Sequence, residues 1–209
     1  GMNGNITING NLDRGASGAA MILGGDATDS ADAQTITLNI GSTGEVTGDI
    51  FVNGDSAGES VFNMTNNGTV TSAITVTNSN ADIENNGTIT GSLGFVETIG
   101  NSNNFSFVNE GVLTNGLATS DATVLFATSA ALTQGASTVS FANVGTFDAN
   151  GDLDQTTGLI FGNIVFAANE QIVSFSNSGT IKGEILFDAA VTNPTTGFGG
   201  ATFTNSGIL

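Results

Sequence analysis

Four oxygen-bearing side chains stand at alternate positions in Asp148-Ala-Asn150-Gly-Asp152-Leu-Asp154. Carboxylate and amide oxygens spaced this way are what a hard divalent cation takes. Asp148, Asn150, Asp152 and Asp154 are therefore the candidate metal ligands, and calcium the candidate ion. The run departs from the helix–loop–helix calcium motif, because its glycine comes two positions early and Leu159 stands where the closing glutamate belongs. Nor is it the Gly-Gly-x-Gly-x-Asp repeat of calcium-binding β-rolls. Asp26, Asp29 and Asp32 form a second, looser acidic cluster. A match without its full ligand set is weak, and ordinary solvated loop acids are the preferred reading of both groups.

Catalytic equipment is thin. The chain has Arg14 and Lys182 as its only basic side chains and no His, Cys or Tyr. A polysaccharide lyase needs a strong base beside a charge-neutralising partner, and these two cations lie far apart in sequence. A glycosidase needs two carboxyls facing across a cleft. Asp152 and Asp154 are two apart, so on one strand they point the same way with no opposing acid. No residue is assigned a catalytic role, and the expectation is a protein that is not an enzyme and needs no cofactor beyond the calcium candidate.

The elements that would position any site show in a recurring Asn-x-Gly motif. It reads TNNGTV at 65–70, ENNGTI at 84–89, VNEGVL at 108–113, ANVGTF at 142–147, SNSGTI at 176–181 and TNSGIL at 204–209, with a degenerate GSTGEV at 41–46. Taking the motif glycines Gly44, Gly68, Gly87, Gly111, Gly145, Gly179 and Gly207 as origin, fixed columns appear. Two residues before stand Ser42 and then asparagine in every copy. Four before stand Ile40, Met64, Ile83, Phe107, Phe141, Phe175 and Phe203. Two after stand Val46, Val70, Ile89, Leu113, Phe147, Ile181 and Leu209; six after, Ile50, Ile74, Leu93, Leu117 and Ile185. The coil of Gly145 breaks this last column with Ala149-Asn150-Gly151.

Apolar residues alternate with Thr, Ser, Asn and Glu, the period of a half-buried strand. Self-similarity at this length marks a solenoid whose coils cannot bury their apolar faces alone. The expected fold is all-β: a single-stranded parallel β-helix of about seven coils, one domain over 1–209, with insertions at one corner. Stacking would make Phe107, Phe141, Phe175 and Phe203 an interior aromatic ladder. Asparagine suits the corner because it tolerates the left-handed conformation and its amide can bond its neighbours above and below. Asn-Gly also opens two-residue hairpins, so an antiparallel sandwich is the rival fold. A meander, though, has no reason to repeat one residue at one corner.

Extra residues fall at 53–61, 96–104, 120–138, 154–172 and 188–200, after a longer excursion at 13–35. Insertions on one side of a rod are a common place for binding. Val124-Leu125-Phe126, Leu159-Ile160-Phe161 and Ile164-Val165-Phe166 read instead as strands packed on the rod. Thr69-Val-Thr71 and Thr88-Ile-Thr90 would make outward threonine columns like those of an ice-binding face, but Glu45, Val112, Asp148 and Lys182 interrupt them.

Nineteen acids against two basic residues give a formal charge of −17. Such a surface repels phosphate backbones and anionic bilayers, which excludes nucleic acid as a partner class. No apolar run approaches the ~20 residues of a membrane helix, so this segment is not expected to insert in a membrane. Without cysteine there is neither a disulfide framework nor a thiolate metal site. The chain reads as a segment of a longer repeat protein, with Gly1-Met2 a remnant of cloning.

The repeated N-x-G-T-I/V-x-G, the interspersed Phe, the missing Cys and the scarce basic residues together resemble the passenger region of bacterial autotransporters and related large adhesins. That resemblance implies a right-handed β-helix displayed extracellularly on a Gram-negative cell surface. It also implies a rigid stalk whose one-sided loops bind a glycan or protein receptor. The alternative is a self-assembling extracellular filament or matrix subunit, stacked head to tail through open coil edges.

Overall fold

The computed structural model describes residues 3–14, 18–24, 34–54, 60–97, 103–115, 122–128, 137–154, 156–167, 171–187 and 200–209. Among them every regular element is a strand, and the strands fall into coils of three. The first coil is β1 (Asn3–Ile8), β2 (Asn11–Asp13) and β3 (Ala19–Gly24); the second is β4 (Thr35–Ile40), β5 (Glu45–Thr47) and β6 (Asp49–Asn53). The third is β7 (Val61–Asn66), β8 (Thr69–Thr71) and β9 (Ile74–Thr77); the fourth is β10 (Asn80–Asn85), β11 (Thr88–Thr90) and β12 (Leu93–Glu97). The fifth is β13 (Asn104–Asn109), β14 (Val112–Thr114) and β15 (Ala122–Thr128); the sixth is β16 (Ser137–Asn143), β17 (Leu159–Phe161) and β18 (Asn163–Ala167). The seventh is β19 (Gln171–Asn177), β20 (Thr180–Lys182) and β21 (Ile185–Phe187), and β22 (Gly200–Asn205) lies above it.

Each strand pairs in parallel with its counterpart in the coil below and the coil above, which builds three open sheets. The long sheet holds eight strands from β1 to β22; the short sheet runs β2 to β20 and the third sheet β3 to β21, with seven strands each. This is the parallel β-helix that the repeat predicts. The antiparallel sandwich is set aside by the pairing direction itself.

Period-two alternation determines which side chains enter. In β7, Phe62, Met64 and Asn66 are buried while Val61, Asn63 and Thr65 are only partly so. The predicted aromatic ladder forms, interior through Phe107, Phe141 and Phe175 but with Phe203 exposed at its top: Phe107–Phe141, Phe141–Phe175 and Phe175–Phe203 ring centroids lie 5.5, 4.9 and 4.8 Å apart. A second ladder runs up the third sheet through Phe95, Phe126, Phe166 and Phe187 at 4.8, 5.1 and 4.8 Å. The two meet edge to face at Phe126–Phe141 and Phe166–Phe175, 6.5 and 6.3 Å apart. Each fully buried Phe contributes about 1.5–3 kcal/mol, and each ring pair about 0.5–1.5 more.

Two chemistries hold the motif corner. The asparagine side chains point inward, not outward, and bond one another up the stack. Asn66 donates to Asn85, Asn85 to Asn109, Asn109 to Asn143, Asn143 to Asn177 and Asn177 to Asn205, all at 2.7–2.8 Å. None of them uses the left-handed conformation; among the described non-glycine residues only Asn78 does, with φ of 53°. Asparagine is here for its paired donor and acceptor, not for its backbone tolerance. The glycine is there for close approach. A Cβ at Gly68, Gly87, Gly111 or Gly207 would overlap the backbone oxygen of Gly44, Gly68, Gly87 or Gly179 in the coil below.

Three register details differ from the sequence alignment. In the second coil the corner 41–44 is two residues longer, closed by Gly44 N–H to Gly41 O at 2.8 Å. Leu38 therefore stands under Met64, and Ile40 rather than Ser42 under Asn66. In the sixth coil the chain leaves after Val144 and returns at Gly158, whose N–H bonds Glu110 O at 2.8 Å. Ile160, not Phe147, fills the column above Leu113, and Phe147 is exposed. In the fifth coil Val124 takes the place above Leu93 that was expected for Leu117, which lies outside the described residues.

The apolar runs 124–126, 159–161 and 164–166 are strands, yet they belong to the stack itself as β15, β17 and β18. Their alternation continues the interior columns, so the excursions are shorter than the sequence spacing implied. Most extra residues join the third sheet to the next long strand, as expected of one corner. Others leave between β2 and β3, between β14 and β15, and between β16 and β17.

Candidate functional site

The excursion between β16 and β17 carries all four residues of the metal candidate. Phe147 and Leu153 form an antiparallel bridge, and Gly151 adopts φ of 83° to turn the chain. The Asp148 carboxylate caps this turn, accepting the backbone N–H of Asn150 and of Asp152 at 2.8 and 2.9 Å. The Asp154 carboxylate accepts the N–H and hydroxyl of Thr156 at 2.9 and 2.7 Å. Asp148 is exposed and Asp154 half-buried, and both titrate below the usual carboxylate range. For Asp148 the main cause is the Asp152 N–H, then that of Asn150; for Asp154 it is the Thr156 hydroxyl, then its N–H. The loop thus uses two of the candidate ligands to hold its own shape. Among the described residues no three His, Cys, Asp or Glu side chains gather closely enough to hold a metal. The second acidic cluster, Asp26, Asp29 and Asp32, lies outside the described residues.

A different surface offers concavity. The outer face of the long sheet bears two neighbouring shallow depressions of about 360 and 370 Å³, and Asp82 lines both. The first is lined by Asn80, Asp82, Asn104, Ser106, Thr138 and Ser140 over an apolar floor that includes Phe105. The second adds Asn63, Thr65, Glu84 and Glu110. Alternation puts these polar groups outward while Ala81, Phe105 and Val139 stay in the core. Part of the row is already linked: Asn104 N–H bonds Asn80 Oδ1 at 2.8 Å, and the Thr138 hydroxyl donates to Asn104 Oδ1. Amides, hydroxyls and carboxylates lining shallow depressions suit a polyhydroxylated ligand more than an apolar one. The sequence reading missed this face because no short motif marks it; polar outward positions on six-residue strands were its only signal.

The threonine columns continue further than the sequence suggested. Thr47, Thr71, Thr90 and Thr114 occupy one outward line of the short sheet, followed by Phe161 and Lys182. The parallel line holds Glu45, Thr69, Thr88, Val112, Leu159 in the place expected for Asp148, and a buried Thr180, so the array stays irregular. The Lys182 ammonium lies 5.0 Å from the Phe161 ring centroid, a cation–π contact at the upper end of the rod. That end also exposes Leu186, Phe187, Phe203, Ile208 and Leu209.

Compared with known proteins, the chain matches no family model, no curated protein and no solved structure. The likeness to autotransporter passengers therefore rests on the repeat pattern alone, and the fold rests on the strand pairing.

Proposed function

We propose that this chain is a rigid stalk and binding module of a secreted or cell-surface adhesin, displayed outside a bacterial cell. The observation that carries the reading is an uninterrupted stack of seven coils, cross-linked by parallel ladders, two phenylalanine columns and the asparagine column. Such a rod resists bending, because every inner coil is bonded to both neighbours on three sides. Recognition falls to the outer face of the long sheet around Asp82 and to the segments that leave the corners. The ligand class is a glycan; anionic glycans are disfavoured by the −17 charge. The test is an array of neutral, amino-bearing and acidic glycans probed with labelled protein. The reading expects retention on neutral or amino-bearing glycans and its loss in a D82A/S140L variant that still shows the wild-type circular dichroism. No retention on any glycan, or equal retention by the variant, would sink it.

A second reading is a filament subunit that stacks end to end through paired coil edges. Light scattering over a concentration series separates the two. A mass constant near 20.8 kDa favours the stalk, and a mass climbing with concentration favours the filament.

A further inference from the structure

Asparagine followed by glycine is the pair most prone to lose its side-chain amide, because a glycine without Cβ leaves its backbone nitrogen open to reach the asparagine Cγ. The chain holds seven such pairs, beginning at Asn3, Asn9, Asn53, Asn67, Asn86, Asn115 and Asn150, and the dipeptide alone ranks them equally. The fold does not. Gly54 N–H bonds Thr77 O at 2.7 Å, Gly68 N–H bonds Asn66 Oδ1 at 3.1 Å, and Gly87 N–H bonds Asn66 O at 2.9 Å. A Cβ on any of these three glycines would lie only 1.8–2.2 Å from a backbone oxygen of an adjacent coil. In the lowest coil, Gly4 lies within β1 opposite Ile36 of β4, and Asn9 O and Gly10 O accept from the Thr43 hydroxyl and Glu45 N–H at 2.8 and 3.0 Å. Gly116, after Asn115, lies outside the described residues.

Asn150–Gly151 stands apart from every coil. It turns the hairpin closed by the Phe147–Leu153 bridge, and residues 146–152 are all exposed. A Cβ on Gly151 would meet nothing within 4 Å. Gly151 N–H does bond Asp148 O, at 3.0 Å, but that bond spans one turn and opens without disturbing a neighbouring coil. The inner glycines are wedged against stacked backbone, so freeing their nitrogens means parting two coils. We propose that Asn150 is a site of spontaneous deamidation in the folded protein, and that the stack protects the Asn-Gly pairs of the inner coils. The Gly151 nitrogen gives up its proton and attacks Asn150 Cγ; the N–Cγ bond forms, the Cγ–Nδ2 bond breaks, and ammonia leaves carrying that proton. Water then opens the cyclic imide, at Cγ to give aspartate or at the backbone carbonyl to give isoaspartate. A water is consumed and an ammonia released. Either product puts a carboxylate in place of the amide whose Nδ2 lies 3.4 Å from Asp148 Oδ2, so attraction becomes repulsion in an already acidic turn. Isoaspartate also lengthens the main chain of that turn by a methylene.

The experiment incubates the folded full chain in mildly alkaline buffer and withdraws samples over time. Each is digested with an acid protease, since acid halts imide formation, and the peptides are read by mass spectrometry. The peptide carrying Asn150 should acquire the acid form first, with isoaspartate among its products. Asn53, Asn67 and Asn86 should lag by about tenfold or more, the ratio that about 1.4 kcal/mol of extra opening cost gives. A parallel incubation in guanidinium chloride removes the fold, and there the four sites should convert at similar rates. Conversion of Asn53, Asn67 or Asn86 in the folded chain as fast as Asn150 would overturn the proposal. So would an Asn150 that stays intact while the unfolded chain converts. A lag that persists in guanidinium chloride would also overturn it, because local sequence rather than the stack would then set the order.

Discussion

Replacing Asn143 with Ala tests the asparagine column at its middle. Asn143 is 1% exposed, and its amide donates to Asn177 Oδ1 at 2.8 Å and to Gly158 O at 2.6 Å. Its own Oδ1 accepts from Asn109 at 2.8 Å. Alanine leaves the Asn109 donor and the Asn177 acceptor facing a dry gap. Two orphaned groups at about 1–3 kcal/mol each give a loss of about 2–6 kcal/mol. The same change at Asn205 removes only the last acceptor of the column, at an exposed position where water substitutes, so about 1 kcal/mol is expected there. Urea unfolding followed by far-ultraviolet circular dichroism is the assay, since the chain has no Trp or Tyr to report by fluorescence. Equal losses at the two positions, or a loss at Asn143 within about 0.5 kcal/mol of zero, would refute the buried ladder as a stabilising element.

Phe141→Ala should cost about 3–5 kcal/mol, because Phe141 touches rings of both aromatic columns; a wild-type melting curve would contradict its interior place. Gly87→Ala drives a Cβ into the backbone of the coil below and should cost about 3 kcal/mol or more, whereas Gly94→Ala meets nothing nearer than Thr75 Cγ2 at 3.9 Å and should be neutral to about 0.5 kcal/mol stabilising. Paired urea curves decide that contrast. Because the folded-state values of Asp148 and Asp154 are depressed, their contribution to the hairpin is present above the unfolded value near 3.8 and is lost as pH falls through the lowered ones. Amide NMR shifts of Asn150, Asp152 and Thr156 should therefore titrate below that value, and an ordinary midpoint would remove the carboxylate caps. Calcium at millimolar concentration should leave the melting temperature unchanged, since Asp148 and Asp154 already bond within the loop; a rise abolished by D152N/D154N would restore the ion site.

The coil-to-coil columns were legible because stacking repeats one environment, and one environment selects one residue type at fixed spacing. Sequence spacing misled where a corner changed length. Gly145 resembles its neighbours in the motif, but the thirteen-residue excursion 145–157 separates it from the corner, and Gly158 closes the turn instead. Spacing from the motif glycine likewise hid the second aromatic column. Phe126 and Phe166 lie beyond excursions of different lengths, and only strand pairing puts them in line with Phe95.

By itself the sequence determined that the chain is a stack of coils with an apolar interior, a polar exterior and Asn-x-Gly corners. Alternation and repeat are local properties, carried by each copy and independent of what surrounds it. The tertiary structure decided which glycine closes the sixth coil and which way the asparagines face. It also brought Asp82 between two depressions and set the two phenylalanine columns edge to face inside the rod. Those outcomes depend on contacts between residues separated by a whole coil or by an excursion, and chain spacing alone does not encode them.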